Sequence, residues 1–229
     1  MKRFYKDVSV CEKEDHFAVL LDGKTIKTPE KKLCVMPTEV MANKIAEEWR
    51  EQGEDINPGS MPITKLMNTA IDRVGGRRTE LIEELVEYAG TDQLCYRADH
   101  PPELIEQQNS CWDPLLKKIT VAHGVELKTT CGVVFVQQPK EQMDKIRNYL
   151  AAIGDFPLMA FYMMTTVTGS VTIGINLFEG HITADEAWNA GQLDENFQIS
   201  QWGTDAEAEE RRNNLKLELD NANLFLSLC

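Results

Sequence analysis

The sequence lacks a surplus of basic residues, and this bears on its partners. It has 24 lysines and arginines against 37 aspartates and glutamates, which gives a formal net charge of −13. An acidic surface repels phosphate backbones and anionic lipid headgroups. We therefore expect no binding to nucleic acid or to membrane surfaces. A basic or apolar protein partner is compatible with this charge.

Motifs for nucleotide binding and for serine nucleophiles are also missing. The glycine pair Gly75-Gly76 is not followed by the Lys-Ser/Thr of a phosphate-binding loop. No serine stands in the Gly-x-Ser-x-Gly pattern of a nucleophile elbow. We expect no nucleotide cofactor, and the glycine pair predicts a turn between two helices.

The six cysteines include no Cys-x-x-Cys pair, and the chain is long enough to fold without disulfides. The spacing of Cys95, His100, Cys111 and His123 fits no known zinc motif, so we expect reduced thiols and no metal. Cys95 leaves two interpretations open. Nearby Arg97 would lower the pKa of a reactive thiol, whereas a structural cysteine would pack inward.

One long run of residues, 156–178, carries no charge. Its length suits a bilayer span. However, it contains Pro157, Gly169, Gly174 and several threonines, and it lacks basic flanks. The run predicts a buried central helix, and we expect no stable membrane insertion.

The first part of the chain has the pattern of short strands. "FYKDVSVC" and "HFAVLLDG" alternate with period two, Asp22-Gly23 is a hairpin turn signal, and "KTIKTP" and "KKLCVM" follow as further strands. Thr38 is the predicted N-cap of a helix that Gly53 ends. The linker pattern "EDINPGSMP" then predicts a domain boundary, with one domain at residues 1–56 and another at residues 57–229.

The rest of the chain is mainly helical by its hydrophobic spacing. Pro114 should kink or restart the helix in "PPELIEQQNSCWDPLLKKITVAHG", and "VELKTTCGVVFVQQP" predicts a hairpin. The predicted fold class is α+β. A small N-terminal antiparallel β-rich domain with one helix precedes a larger, mainly α-helical C-terminal domain.

An acidic stretch with two tryptophans, residues 182–212, contains a predicted capping box of Thr183 and Glu186. On one continuous helix, one face would carry Trp188, Gln192, Glu195, Ile199 and Trp202. Asp194 would point sideways, so Asp194 and Glu195 would not form a two-carboxylate hydrolytic pair. Either the tryptophans lie in the core and Glu195 pairs with an arginine, or this face is exposed and binds a protein.

Ordered motifs along the chain carry a family resemblance. They are "RFYKDVSV", "LDGKTIKTP", "MPTE", "AEEW", "MPITKLMNTAIDRV", "YAGTDQLCYRA", "WDPLL" and "LDENFQISQWGTDAEA". From about residue 3 to residue 226 the chain closely resembles the assembly chaperones for the alpha subunit of the F-type ATP synthase. The resemblance implies a binding protein without catalysis or cofactor. Such a chaperone holds the unassembled alpha subunit and releases it when the beta subunits assemble.

The resemblance also implies site residues. Glu195 matches a functional family acid, and the predicted partner-binding set is Glu195, Asp194, Gln198, Trp202 and Trp188. A second group matches family signatures without an assigned role, namely Trp49, Asp92, Tyr96 and Arg97. The helical spacing of Trp49 with Ile45 favours a place in the core for that tryptophan.

Two other functions and the cellular setting complete the expectations. An enzyme that uses Cys95 or Glu195 is the alternative from another class, and a scaffold for a different client is the other. We expect a monomer in a bacterial cytoplasm, because the resemblance begins at Arg3 and leaves no room for a leader peptide. A trimmed protein of the mitochondrial matrix is the alternative.

Overall fold

The computed structural model describes residues 1–13, 15–132 and 134–229. Its N-terminal sheet is antiparallel. Strands β1 (Val8–Lys13) and β2 (His16–Leu21) pair along their length, and β2 also pairs with β3 (Lys24–Thr25) and β4 (Val35–Met36). This confirms the predicted β-rich start of the chain.

The turn between β2 and β3 has the geometry that its sequence predicts. Asp22 and Gly23 both have positive φ, at 47° and 78°, as a two-residue hairpin turn of the mirror-image type requires. The Asp22 carboxylate accepts hydrogen bonds from the backbone N–H groups of Lys6 and Asp7, at 3.1 and 2.9 Å. These bonds lower the pKa of Asp22.

Helix α1 (Glu39–Arg50) begins where the sequence predicts, because the Thr38 hydroxyl accepts the Met41 N–H at 3.2 Å. The helix ends at Arg50, before Gly53. Near its end, the buried Glu48 carboxylate accepts the backbone N–H groups of Ile63 and Thr64, each at 2.8 Å. Glu48 thereby caps the next helix, and burial raises its pKa.

The remaining regular elements are mostly helices, as predicted. Helical bounds are α2 Pro62–Thr69, α3 Gly75–Gly90, α4 Pro102–His123, α5 Lys140–Ala152, α6 Asp155–Thr168, α7 Val171–Phe178, α8 Ala184–Gly191, α9 Leu193–Trp202 and α10 Ala206–Ser227. A short π-helical segment, Ala70–Val74, joins α2 to α3. The α+β class with a larger helical part is therefore confirmed.

The chain forms two compact units. The first comprises residues 1–78, 154–160 and 224–229, and the second comprises residues 79–153 and 161–223. The predicted boundary at residues 56/57 falls inside the first unit, where Glu48 of α1 caps α2. The division into domains at residues 1–56 and 57–229 stays a prediction.

Two predicted helix interruptions are compared with the structure: the turn at Gly75-Gly76 is wrong, and at Pro114 the restart does not occur while the kink stays a prediction. Helical backbone continues through Gly75 and Gly76, and the kink falls at Arg77, with φ −133° and ψ 25°. Helix α4 runs past Pro114 without a restart. Trp112 and Leu115 are buried on either side of this proline, so packing holds the helix together where one backbone hydrogen bond is lost.

The uncharged run is two helices, so the prediction of one continuous helix is wrong. Gly169 breaks the run at φ +71°, and the Ser170 hydroxyl caps α7 by accepting the Ile173 N–H at 3.1 Å. The prediction of burial is right for the second half, since residues 171–177 are all buried. Among the described residues, no helix is both long and apolar enough to cross a membrane.

The segment at residues 125–139, predicted as a hairpin, has no strand pairing within itself among the described residues. Strand β6 (Thr130–Cys131) pairs in parallel with β5 (Tyr96–Arg97), which lies more than thirty residues earlier. Turn signals in the sequence report only local pairing, so they could not reveal this distant partner. Val133, within the predicted hairpin, lies outside the described residues.

Close packing at Gly191 gives a stability prediction. A Cβ added there would lie 2.9 Å from the Thr168 carbonyl oxygen, so Gly191→Ala should lower the free energy of unfolding by about 1–3 kcal/mol. Gly90 is the matched control, because it also ends a helix but has no atom within 4 Å of an added Cβ. Gly90→Ala should raise stability by about 0.5–1 kcal/mol. Urea unfolding measures both, and equal effects would contradict the packing argument.

Candidate functional site

The acidic stretch with two tryptophans is divided between two helices. Helix α8 ends at Gly191, and α9 begins at Leu193 after Gln192, whose φ and ψ are −102° and 14°. The prediction of one continuous helix with one tryptophan face is therefore wrong. Tight packing of Gly191 against the α6–α7 junction brings this turn close to the core.

The start of α8 agrees with the sequence. The Thr183 hydroxyl accepts the Glu186 N–H at 3.2 Å, and the Glu186 carboxylate accepts the Thr183 N–H at 2.7 Å. This confirms the capping box. Ala190 and Leu193 are buried, so α8 and α9 each have one face in the core.

The two tryptophans differ in exposure. Trp202, the last residue of α9, is 80% exposed. Trp188 is half-buried, and the Arg212 guanidinium lies 5.5 Å from its ring centroid. A cation at this distance from an indole face is attracted to its π-electrons. The core interpretation therefore suits Trp188 better, whereas Trp202 has the exposure of a contact residue.

Glu195 lies between two guanidinium groups from α10. Its carboxylate is 3.2 Å from Arg211 and 3.1 Å from Arg212, and its side chain is 32% exposed. Arg212 also donates hydrogen bonds to the side chains of Gln192 and Asn196. Through Arg212, the structure brings Trp188, Gln192 and Glu195 together across the break between α8 and α9.

Asp194 has a different environment from Glu195. Its carboxylate accepts a hydrogen bond from the amide of Gln108 at 2.8 Å, and Gln108 is buried in α4. The Gln108 carbonyl oxygen in turn accepts the Ala98 N–H at 2.8 Å. Asp194 thus ties α9 to α4, and the two adjacent carboxylates do not converge on one point.

We call the group of exposed and half-buried residues at the junction of α9 and α10 the Trp202 surface. It surrounds an open cavity of about 460 Å³, and its residues are Glu195, Gln198, Ile199, Trp202, Gly203, Thr204, Asp205 and Ala208. Gln198 is exposed and belongs to this surface, as the predicted partner-binding set implies. The surface offers an indole ring and two carboxylates to a partner.

The signature residue Asp92 is buried and holds parts of the fold together by hydrogen bonds. It is 0% exposed, and its carboxylate accepts hydrogen bonds from the Leu94 N–H at 3.0 Å, the Ser170 hydroxyl at 2.7 Å and the Thr172 N–H at 2.9 Å. Burial raises its pKa, and these donors offset part of that effect. Asp92 therefore joins a turn after α3 to the first turn of α7.

Arg97 is also largely buried. It donates hydrogen bonds to the Leu94 carbonyl at 2.7 Å and to the Asp113 carboxylate at 2.7 Å, and it lies over the Trp112 ring. Tyr96 is half-buried in β5, beside Arg97. These contacts connect β5 with α4, so the signature residues in this segment organise the second compact unit.

Trp49 belongs to the first compact unit. Its ring is half-buried and meets the Tyr5 ring edge-on at 5.5 Å, so it lies at the border of the core rather than inside it. Within the described part of the chain, its indole nitrogen has no hydrogen-bond partner although it is shielded from solvent. Trp49 also lines a cavity with Phe4 and Lys24.

The environments of Cys95 and Glu195, the residues of the enzyme alternative, do not favour catalysis. Cys95 is buried, and burial, together with the charge of Asp92, raises the pKa of its thiol to about 12. A thiol held protonated is a poor nucleophile. Glu195 is occupied by two arginines. Across residues 1–13, 15–132 and 134–229, no group of three or more histidines, cysteines and acids is placed to hold a metal ion.

Three residues that organise this region were not predicted from the sequence. Arg212 links α10 to α8 and α9, buried Gln108 holds Asp194, and the indole N–H of Trp112 donates to the Ala190 carbonyl at 2.9 Å. All these contacts span sixteen or more residues of sequence. Only the position of Trp112 in the "WDPLL" motif gave a signal for it in the sequence.

Comparisons with known proteins extend the family resemblance. The family model described as ATP12 chaperone protein matches residues 2–120. "Protein atp12, mitochondrial" from Schizosaccharomyces pombe is 27% identical over 241 residues, covering 100% of this chain and 82% of that protein.

Two crystal structures are similar along nearly the whole chain. Atp12 from Paracoccus denitrificans is 35% identical with a TM-score of 0.95, covering 99% of this chain and 97% of that chain. The Atu1473 protein from Agrobacterium tumefaciens is 37% identical with a TM-score of 0.93, and the coverage is 99% and 85%. Together these likenesses define an assembly chaperone.

The chain belongs to the ATP12 chaperone family. Its general function is that of a chaperone in ATP synthase assembly, which confirms this part of the resemblance.

Proposed function

We propose that the protein binds the unassembled alpha subunit of the F-type ATP synthase, prevents its aggregation and releases it when beta subunits assemble. Membership of the ATP12 chaperone family supports this proposal. An unassembled subunit exposes the apolar patches that its partner subunits later cover, and such patches aggregate. A chaperone that covers one patch gives way when the true partner offers a larger interface.

The observation that carries the proposal is the exposure of Trp202. A ring that is 80% exposed contributes little to the fold, and tryptophan is among the residue types enriched in the energetic centres of protein interfaces. Ile199 and Gln198 adjoin it on the Trp202 surface, so apolar area and hydrogen-bonding groups stand side by side. Such a surface suits moderate and reversible binding of a folded client.

Charge on the same surface indicates the matching chemistry of the client. Glu195 and Asp205 flank the exposed indole, and the chain as a whole carries a net charge of −13. A client patch that combines apolar side chains with a lysine or arginine would meet both features. In the free chaperone Arg211, which is itself 64% exposed, pairs with Glu195. A client cation would compete with Arg211 for this carboxylate.

A scaffold for another protein would use the same exposed surface. We propose a monomer in the bacterial cytoplasm, with the mitochondrial matrix as the alternative compartment. Relatives from Paracoccus denitrificans and Agrobacterium tumefaciens support the first, and the mitochondrial protein of Schizosaccharomyces pombe supports the second.

The test is protection of purified alpha subunit from thermal aggregation, followed by light scattering. Wild-type protein should suppress aggregation at near-equimolar ratio, and Glu195→Lys should weaken binding by about tenfold or more, because it places a cation beside Arg211 and Arg212. Glu195 also pairs with Arg212, whose side chain is 14% exposed, so thermal unfolding of the variant is measured and protection is compared at a temperature where both proteins are folded.

Glu207→Lys is the matched control for this charge reversal. Glu207 is an exposed acid near the start of α10 that is not part of the Trp202 surface. The control should protect the alpha subunit as well as wild type does. Normal protection by Glu195→Lys would remove Glu195 from the binding surface, and failure of the wild-type protein to protect would refute the alpha subunit as client.

A further inference from the structure

The first compact unit has a cavity that shares no lining residue with the Trp202 surface. Its volume is about 410 Å³, and it is lined by Phe4, Tyr5, Leu21, Asp22, Lys24, Thr25, Ile26, Lys27 and Trp49. We call it the Phe4 cavity. Aromatic and aliphatic side chains form most of its wall, which is the usual character of a binding site with an apolar anchor.

The aromatic wall is held in place by the fold. The Arg3 N–H donates to the Glu54 carbonyl at 2.8 Å, which fixes the backbone next to Phe4. The rings of Phe4 and Tyr5 meet edge-on at 5.4 Å, and the Tyr5 hydroxyl donates to the Trp49 carbonyl at 2.7 Å. Phe4 nevertheless remains 64% exposed. An exposed ring on a fixed backbone can bind without a large loss of conformational entropy.

The charges around the cavity favour an acidic ligand. Asp22 is the acid of the wall, and its carboxylate is engaged with the N–H groups of Lys6 and Asp7. Lys24 and Lys27 are exposed, and the described part of the chain offers neither of them an ion-pair partner within 4.0 Å. Two ammonium groups therefore stand at an apolar cavity on an otherwise acidic protein.

The sheet edge beside the cavity favours a peptide as the ligand. Strand β3 is the last in the order β1-β2-β3, and Thr25 lies opposite Leu20. The Ile26 N–H donates to the Val19 carbonyl at 3.1 Å, so that pair is hydrogen-bonded and the neighbouring Thr25–Leu20 pair is not. The N–H and C=O of Thr25 therefore point away from β2. An extended chain can pair with such an edge.

We propose that the Phe4 cavity is a second docking site for the client, and that it takes an extended segment with an apolar side chain beside an acidic residue. The apolar side chain enters between Phe4 and Trp49, and the carboxylate pairs with Lys24 or Lys27. This inference rests on the proposed function for the identity of the client. Two contact sites of opposite charge preference would bind one client more selectively than either site alone.

Charge reversal of the full-length chain tests the proposal. The probe is purified alpha subunit, and its dissociation constant is measured by titration. The double variant Lys24→Glu, Lys27→Glu should weaken binding by about tenfold or more. The control Lys65→Glu, Lys140→Glu reverses two other exposed lysines and gives the same net charge, so its binding should stay within about twofold of wild type.

A second variant and a crosslink keep the test independent of folding. Phe4→Ala removes an exposed ring and should weaken binding about threefold or more with unchanged thermal unfolding. Carbodiimide crosslinking of the wild-type complex should join Lys24 or Lys27 to an Asp or Glu of the client next to an apolar residue, as read by mass spectrometry.

The outcomes separate this inference from the proposed function. If wild-type protein does not bind the alpha subunit, the proposed function fails, and the client named for the Phe4 cavity is refuted as well. If wild-type protein binds but the Lys24/Lys27 and Phe4 variants bind as the control does, the second docking site is refuted while the proposed function stands. Crosslinks confined to other lysines would likewise refute it.

Discussion

Replacement of Asp92 by alanine should lower the free energy of unfolding by about 3–5 kcal/mol, the largest loss that we expect from a single polar side chain here. The substitution leaves three donors without their acceptor in a fully buried site, namely the N–H groups of Leu94 and Thr172 and the hydroxyl of Ser170. Each buried donor without a partner costs about 1–3 kcal/mol. Urea unfolding followed by circular dichroism measures the loss.

Asp92→Asn is the matched variant, because it retains one acceptor oxygen and removes the ionisable group. It should lose less stability than Asp92→Ala. Equal and small losses for both variants would show that the three hydrogen bonds contribute little. Thr204, an exposed residue outside this network, supplies a neutral control in Thr204→Ala, which should change stability by less than about 0.5 kcal/mol.

The comparison of wild type with Asp92→Asn also predicts a pH dependence of stability. Burial raises the pKa of Asp92 above its ordinary value of 3.8, so the folded protein holds this proton more tightly than the unfolded chain does. The contribution of the proton to stability is fully present below about pH 4 and is lost as the pH rises through the raised pKa. Relative to Asp92→Asn, wild-type stability should therefore fall with rising pH. A constant difference would contradict this.

Trp112→Ala and Trp202→Ala should have opposite consequences although they remove the same side chain. Trp112 is 0% exposed, donates to the Ala190 carbonyl and supports the Arg97 guanidinium, so its loss should cost about 3–5 kcal/mol of stability. Trp202 is 80% exposed, and its loss should cost less than about 0.5 kcal/mol.

In the client-protection assay the two variants should rank in the opposite order, with Trp202→Ala the more impaired. Under the proposed function, Trp202→Ala should weaken binding of the alpha subunit by about tenfold or more, because the exposed indole is the largest apolar group of the Trp202 surface. Thermal unfolding and the aggregation assay, applied to both variants at a temperature where each is folded, separate the two roles. Full protection by Trp202→Ala would place the client on another surface.

Local features of the sequence predicted local structure well. The turn at Asp22-Gly23, the Thr38 cap and the capping box of Thr183 and Glu186 are all confirmed, because each depends on residues within four positions of one another. The α+β class follows from the same local periodicities. The family was recognisable from ordered motifs, and the comparisons bear this out.

Predictions that required continuity or distant pairing were less successful. The uncharged run breaks at Gly169, and the tryptophan stretch breaks at Gln192, because packing at each site decides whether a helix continues. The two breaks lie close together, since Gly191 packs on Thr168. Hydrophobic periodicity alone does not register such a tertiary contact.

The sequence by itself determined the fold class, the helix caps, the hairpin and the family, since these depend on short-range chemistry and on the order of motifs. Tertiary structure alone decided which partners the two acids meet and which tryptophan faces solvent. Asp194 turns to Gln108 in α4, Glu195 meets two arginines of α10, and Trp202 is left exposed at a helix end. Neighbouring residues acquire different roles because their partners come from helices distant in sequence.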